Sequence, residues 1–186
     1  MPPRQPVLKS LPAPEDYAPW SGALDRRQIL IMSDQALVLL VEDNEDDVAL
    51  VRRAFSKGKV VNPLQVVRTG EEAVEYLTGT GRYSNREEYP LPELMLLDLR
   101  LPGIDGFQVL HWLRQQPSLK SLRVVVLTAS DALSDATQAY QFGANSFLVK
   151  PIDFDEFVNI TNAIQGYWLW TSRSPELKRP DRTKNQ

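Results

Sequence analysis

Glu42-Asp43, Asp98, Thr128 and Lys150-Pro151 each stand directly after a short run of almost wholly apolar residues, and together they offer three carboxylates, a hydroxyl and an ammonium. A fifth apolar run ends in Arg68-Thr69-Gly70 and delivers no comparable group. If these runs are strands of one parallel sheet, the four groups share its carboxyl edge, where ligands bind in open α/β sheets. Three carboxylates gathered there repel: at a spacing of about 5 Å and an effective dielectric of about 20, each pair costs on the order of 3 kcal/mol before screening. A hard divalent cation with oxygen ligands offsets that repulsion, and Mg2+ is the common choice because it keeps positions open for phosphate oxygens. Lys150 adds a point charge suited to a phosphoryl oxygen or to Asp98, and Thr128 adds a hydroxyl donor. An aspartate beside such an ion can attack phosphorus and form an acyl phosphate, so the set points to phosphoryl acceptance on Asp98.

The elements that must gather these residues alternate strand-like runs with helix-length amphipathic stretches, the pattern of βα units in a parallel sheet. Strands are predicted at Ala36 to Val41, Leu64 to Arg68, Leu94 to Leu97, Arg123 to Leu127 and Ser146 to Val149. Their continuous apolar character fits burial on both faces. Helices are predicted at Glu45 to Lys57, Glu71 to Thr78, Gly106 to Gln115, Asp131 to Phe142 and Phe154 to Trp168. Thr69 with Glu72, and Asp153 with Glu156, have capping-box spacing, while Gly58 and Gly143 stand where a left-handed helix end favours glycine. Right-handed crossovers then lead to a doubly wound five-stranded sheet with five helices.

Six of the fourteen prolines fall in the first twenty residues, which makes residues 1–33 a proline-rich extension expected to be poorly ordered and outside the fold. Residues 171–186 read as a polar, basic tail carrying Arg173, Lys178, Arg179, Arg182 and Lys184. The chain has no cysteine, so disulfides, thiolate metal sites and cysteine nucleophiles are excluded and a cytoplasmic setting is expected. Runs such as Leu37 to Val41 are far too short for a membrane span, so a soluble protein is expected. A net charge of -3 gives no overall basic field, so no direct nucleic-acid partner is expected.

Leu39 to Asn44, Leu96 to Gly106, Val126 to Ala129 and Phe147 to Pro151 resemble the receiver domains of bacterial two-component response regulators. The resemblance spans roughly residues 34–170, and its specificity comes from four separated motifs in order, each at a strand end. It implies a flavodoxin-like strand order 2-1-3-4-5, with Asp98 as phosphoacceptor and Glu42 and Asp43 as the acidic pair beside it. Mg2+ would be held by Asp43, Asp98 and the backbone carbonyl of Arg100, with Glu42 in the same acidic set. Thr128 and Phe147 match the family's switch pair, Ala129 follows the threonine, Lys150 would bind a phosphoryl oxygen, and the bond to Pro151 is typically cis. A narrower resemblance, carried by Arg82 to Glu93, Lys150 to Phe154 and Tyr167 to Leu169, is to the small regulators that serve phytochrome kinases. Those regulators lack an output domain and pair through the helix 4, strand 5, helix 5 face. A sensor histidine kinase is then the donor, and a homodimer, a histidine-phosphotransfer protein or another downstream protein the partner. The protein would be a phosphoacceptor switch, not an enzyme, beyond Mg2+-dependent self-phosphorylation and autodephosphorylation.

Taken singly, these residues have plainer readings. Glu42-Asp43 alone would be a solvated loop and Phe147 alone a core residue. His111, the only histidine, shares a helix with Phe107, Leu110 and Leu113, and it is expected off the core face without a role. Phe157, Ile160, Ile164 and Trp168 follow core spacing. Phe154, Val158, Tyr167, Leu169 and Trp170 exceed what one stripe needs and would form a dimer or partner face. An aspartate-nucleophile phosphatase resembles Asp-x-Asp at its nucleophile, whereas Arg100 stands two residues after Asp98. A degenerate, constitutive interaction module would have lost one of Asp43, Asp98, Thr128 or Lys150, and all four are present.

Overall fold

The computed structural model describes residues 36–171. The proline-rich extension expected over residues 1–33 lies outside the described residues, as does the basic tail expected over residues 171–186 apart from Thr171. Five strands, β1 (Val38–Val41), β2 (Leu64–Val67), β3 (Leu94–Leu97), β4 (Arg123–Thr128) and β5 (Ser146–Val149), alternate with five helices. These are α1 (Glu45–Lys57), α2 (Gly70–Thr78), α3 (Gly106–Gln115), α4 (Leu133–Gln141) and α5 (Phe154–Ile164). All strand pairs are parallel and the order is β2-β1-β3-β4-β5, as expected.

Alternation along the strands sorts the core into two layers. Leu39, Val41, Met95, Leu97, Val124 and Val126 face α2, α3 and α4, meeting Tyr76, Leu77, Val109, Leu110, Leu113 and Ala139. Val38, Leu40, Leu94, Leu96, Val125 and Leu127 face α1 and α5, meeting Val48, Val51, Phe55, Phe157 and Ile164. Each buried side chain of this size contributes roughly 1.5–3 kcal/mol of transfer free energy, which explains why the central strands need no polar residue until their ends.

Caps set where the helices begin. Asn44 accepts from Asp46 N at 2.8 Å and Asp47 N at 3.3 Å, opening α1 right after the acidic pair. Thr69 Oγ1 accepts from Glu72 N at 3.1 Å, yet the Glu72 carboxylate takes Arg68 N at 2.5 Å, one residue before the partner a capping box requires. Asp153 accepts from Glu156 N at 2.9 Å, and Asp105 with Gln108 forms a complete box.

Two expectations are corrected. Gly143 has a φ of 93°, but Gly58 is right-handed at -75°, and Lys59 takes the positive φ of 57° instead. What a side chain at 58 would meet is α5: a Cβ there would lie 2.3 Å from Asn162 Oδ1, so that side chain would have to turn away. The last helix does not run as an α-helix to Trp168. It ends at Ile164 and continues as a π-helix over Gln165–Thr171. Ile164 and Leu169 are both buried in the α1/α5 layer five residues apart, the spacing that a π turn brings onto one face.

Candidate phosphoacceptor site

Strand register assembles the site. Val41 pairs with Leu97, so the next residues, Glu42 and Asp98, emerge side by side at the carboxyl edge. The backbone ladder continues past the strands through Asp98 N to Val41 O at 3.0 Å, Glu42 N to Val67 O at 3.0 Å and Lys150 N to Thr128 O at 2.7 Å. Glu42, Asp98 and Thr128 are buried, Asp43 and Ala129 are exposed, and Phe147, Lys150 and Pro151 are half-buried. Glu42, Asp43, Asp98, Thr128, Ala129, Lys150 and Pro151 therefore lie at this edge, whereas Phe147 sits within β5, paired with Val126.

Lys150 is the hub. Its Nζ lies 2.6 Å from Glu42 Oε2, 2.7 Å from Asp47 Oδ2 and 3.8 Å from Asp98 Oδ2, with its side chain only 9% exposed. Burial alone would lower the Lys150 pKa; hydrogen bonds to Asp47 and Glu42, helped by the Asp98 charge, outweigh it and hold the ammonium above its ordinary range. Burial pushes the Glu42 carboxyl up, and its bond to Lys150 only partly offsets that. Glu42 has both oxygens engaged, the second accepting from Asn44 N at 3.2 Å. Asp98 is oriented by Leu99 N, which donates to Oδ1 at 2.8 Å.

One oxygen from each of Glu42, Asp43 and Asp98 falls within 4.8 Å of the others. A small octahedral cation brings ligand oxygens about 3–4 Å apart, so modest side-chain rotation suffices for this donor set. All three donors are hard oxygens, the chemistry that Mg2+ or Mn2+ takes.

The rim is built by the two loops beside Asp98. Gly106 N donates to Leu99 O at 3.1 Å, and a Cβ on Gly106 would lie 2.3 Å from Asp98 O, so only glycine lets α3 start this close to Asp98. Thr128 Oγ1 accepts from Ser130 N at 3.4 Å. One Asp135 oxygen takes both Ser130 Oγ at 2.6 Å and Arg100 Nη2 at 3.1 Å, tying the loop after β3 to the start of α4. Phe147 packs partly against the α2/α3/α4 core, and its N–H donates to Tyr140 Oη at 3.2 Å.

Further expectations are revised here. The Lys150-Pro151 bond is trans, since no cis peptide occurs among the described residues. Trans is the ordinary preference of such an amide by about 0.5–1 kcal/mol. The surplus apolar face of α5 largely disappears into the core: Val158 and Leu169 are buried and Phe154 is half-covered by the Arg53 guanidinium, leaving Tyr167 exposed. The Trp170 side chain lies outside the described residues. Exposed Leu133, Tyr140, Val149 and Ile152 instead mark α4, β5 and the start of α5. His111 is exposed, as expected, with its ring 5.2 Å from Phe142. Asp47 is the site residue that sequence reasoning missed. It is one of three acids in the first turn of α1, and only the fold turns it inward.

Comparisons with known proteins find a matching family and similar folds. The family model described as the response regulator receiver domain matches residues 38–162. The probable methanogenesis regulatory protein FilR2 of Methanothrix harundinacea is 37% identical over 158 residues, 83% of this chain and 97% of that protein. The response regulator Rcp1 of Synechocystis sp. is 35% identical over 148 residues, 77% of this chain and 99% of that one. Its Mn2+-bound crystal structure is similar with a TM-score of 0.68, covering 76% and 99% of the two chains. The phosphorylated cyanobacterial phytochrome response regulator RcpA, 34% identical, has a TM-score of 0.70 over 76% of this chain and 99% of that one. No helix among the described residues is long and apolar enough to cross a membrane.

Proposed function

The chain belongs to the response regulator receiver domain family, and we propose that it accepts a phosphoryl group on Asp98 from a sensor histidine kinase, of the phytochrome class, with Mg2+ as its cofactor. The observation that carries the reading is Asp98 itself, buried at the end of the central strand beside the Glu42 and Asp43 carboxylates and 3.8 Å from the Lys150 ammonium. Asp43, Asp98 and the Arg100 carbonyl would hold Mg2+, with Glu42 adding charge while it anchors Lys150. The ion would neutralise charge on the transferring group and orient its oxygens.

An Asp98 oxygen attacks phosphorus, and the P–N bond to the donor imidazole breaks with its electron pair going to nitrogen, which is protonated as it leaves. Leu99 N–H fixes the attacking carboxylate, and Lys150 is close enough to reach a phosphoryl oxygen. Thr128 Oγ1 then turns from Ser130 N toward the phosphoryl group, with Ala129 offering its N–H at the mouth of the site. Phe147 follows inward, Pro151 ends β5 behind Lys150, and the α4, β5, α5 surface is remodelled. That surface, with Leu133, Tyr140, Val149 and Ile152 exposed, is the face for a homodimer, a histidine-phosphotransfer protein or another downstream protein.

The test is incubation with acetyl phosphate, with and without Mg2+, reading intact mass and oligomeric state together. The expected result is a Mg2+-dependent, base-labile adduct that Asp98→Asn abolishes, with a shift toward dimer. An adduct that persists in Asp98→Asn overturns the assignment.

A further inference from the structure

Lys150 Nζ makes its two short contacts to Glu42 and Asp47, while Asp98, the group it would serve, is 3.8 Å away. An ammonium has three donors, and two are committed to the β1/α1 side of the site. Building on the receiver reading above, we infer that Asp47 is a positioning residue that holds Lys150 back from Asp98 in the resting protein and yields it to the phosphoryl group.

Three features single out Asp47. Its backbone N–H donates to Asn44 Oδ1 at 3.3 Å, so the start of α1 fixes where its carboxylate sits. Of the three first-turn acids it alone is half-buried; Asp46 is exposed, and Glu45 pairs outward with Arg68 at 2.6 Å. All three acids oppose the helix N-terminal dipole alike, so that role does not account for the inward turn of one of them.

The arrangement has a consequence for charge. With Lys150 drawn to Glu42 and Asp47, Asp98 keeps only the longer 3.8 Å contact to the ammonium, and the oxygens of Asp43 and Asp98 stay open to a divalent cation. A phosphoryl group carrying close to two negative charges outcompetes a single carboxylate for the ammonium, so phosphorylation exchanges the Asp47 pair for a stronger one. Removing Asp47 removes the competitor: Lys150 swings over Asp98, the cation loses affinity, and phosphoryl acceptance at saturating metal gets easier.

The experiment compares full-length wild type, Asp47→Asn and Asp46→Asn, each with and without Lys150→Ala. Mn2+ affinity is read by the free-ion paramagnetic resonance signal, and labelling by acetyl phosphate is read at saturating Mg2+. Asp46→Asn carries the same loss of charge at an exposed position and controls for the general field, for which a change within about twofold is expected. Asp47→Asn is expected to weaken Mn2+ binding by roughly tenfold and speed labelling several-fold, and both effects vanish in the Lys150→Ala background because they act through that lysine. Equal behaviour of Asp47→Asn and Asp46→Asn, or effects that survive Lys150→Ala, overturns the inference while leaving Asp98 as acceptor. A wild type that takes no label overturns both.

Discussion

Two partly buried cations, Lys150 and Arg114, are held by this fold in opposite ways. Lys150 sits among carboxylates that outnumber it, at 2.6, 2.7 and 3.8 Å. Arg114, in the last turn of α3, meets mainly neutral acceptors: Gly143 O at 2.7 Å, Leu122 O at 2.8 Å, Lys120 O at 3.0 Å and Asn145 Oδ1 at 3.2 Å. Burial is the largest influence on both. It lowers the Arg114 pKa, whereas at Lys150 the surrounding acids reverse it. A cation whose donors end on backbone carbonyls fastens loops, here the turn before β4 and the α4–β5 turn onto α3. A cation among excess carboxylates leaves the pocket net negative, which favours entry of a divalent cation.

Mutations can break or sharpen this contrast, and the largest effect is expected at Arg114. Arg114→Ala strands several carbonyls and should cost about 3 kcal/mol in denaturant-unfolding stability, with labelling of the folded fraction unchanged. Lys150→Met should cost less, about 2 kcal/mol at neutral pH without metal, because Glu42 can take up a proton and Asp47 can reach water.

Its pH dependence separates it from Arg114→Ala. Glu42 already has a folded-state pKa raised above its unfolded value, so the native state binds the extra proton and stability falls as pH rises. Without the ammonium that rise grows, so the deficit of Lys150→Met relative to wild type should shrink as pH falls from 7 toward 5. A deficit independent of pH contradicts the account.

Asp98→Asn should abolish labelling yet raise stability by about 1 kcal/mol, since it relieves carboxylate repulsion and still accepts from Leu99 N. A loss of stability there would mean the charge excess is not strained. The smallest effect is expected for Arg100→Ala. Its side chain is 69% exposed, so loss of the Asp135 pair should change stability by no more than about 0.5 kcal/mol.

The sequence made the Lys150 side of this comparison readable and left the Arg114 side dark. Lys150 follows an apolar run and falls in line with Glu42, Asp98 and Thr128 at other strand ends, so topology alone brings it to them. Arg114 is a basic residue in the last turn of a helix with no spacing that marks it. Its partners are backbone carbonyls, which every residue carries. Asp47 was hidden for a related reason: Glu45, Asp46 and Asp47 are equivalent as first-turn acids, and only packing chooses among them. Gly58 does not take the left-handed φ that its place after α1 suggests, since a glycine facing a neighbouring helix and one at a left-handed φ look alike in one dimension.

What this sequence determined by itself was periodic and local: five apolar runs of strand length, the caps of α2 and α5, and polar residues that a parallel sheet must place at one edge. Strand alternation and cap chemistry act over a few residues, so they are written where they act. Only the tertiary structure decided which carboxylates share the Lys150 ammonium, that the Lys150-Pro151 bond is trans, and that the last helix widens into a π turn to bury Leu169. The Lys150 pairs join residues more than a hundred positions apart in the chain, and they rest on competition among near-equal partners that no local pattern records.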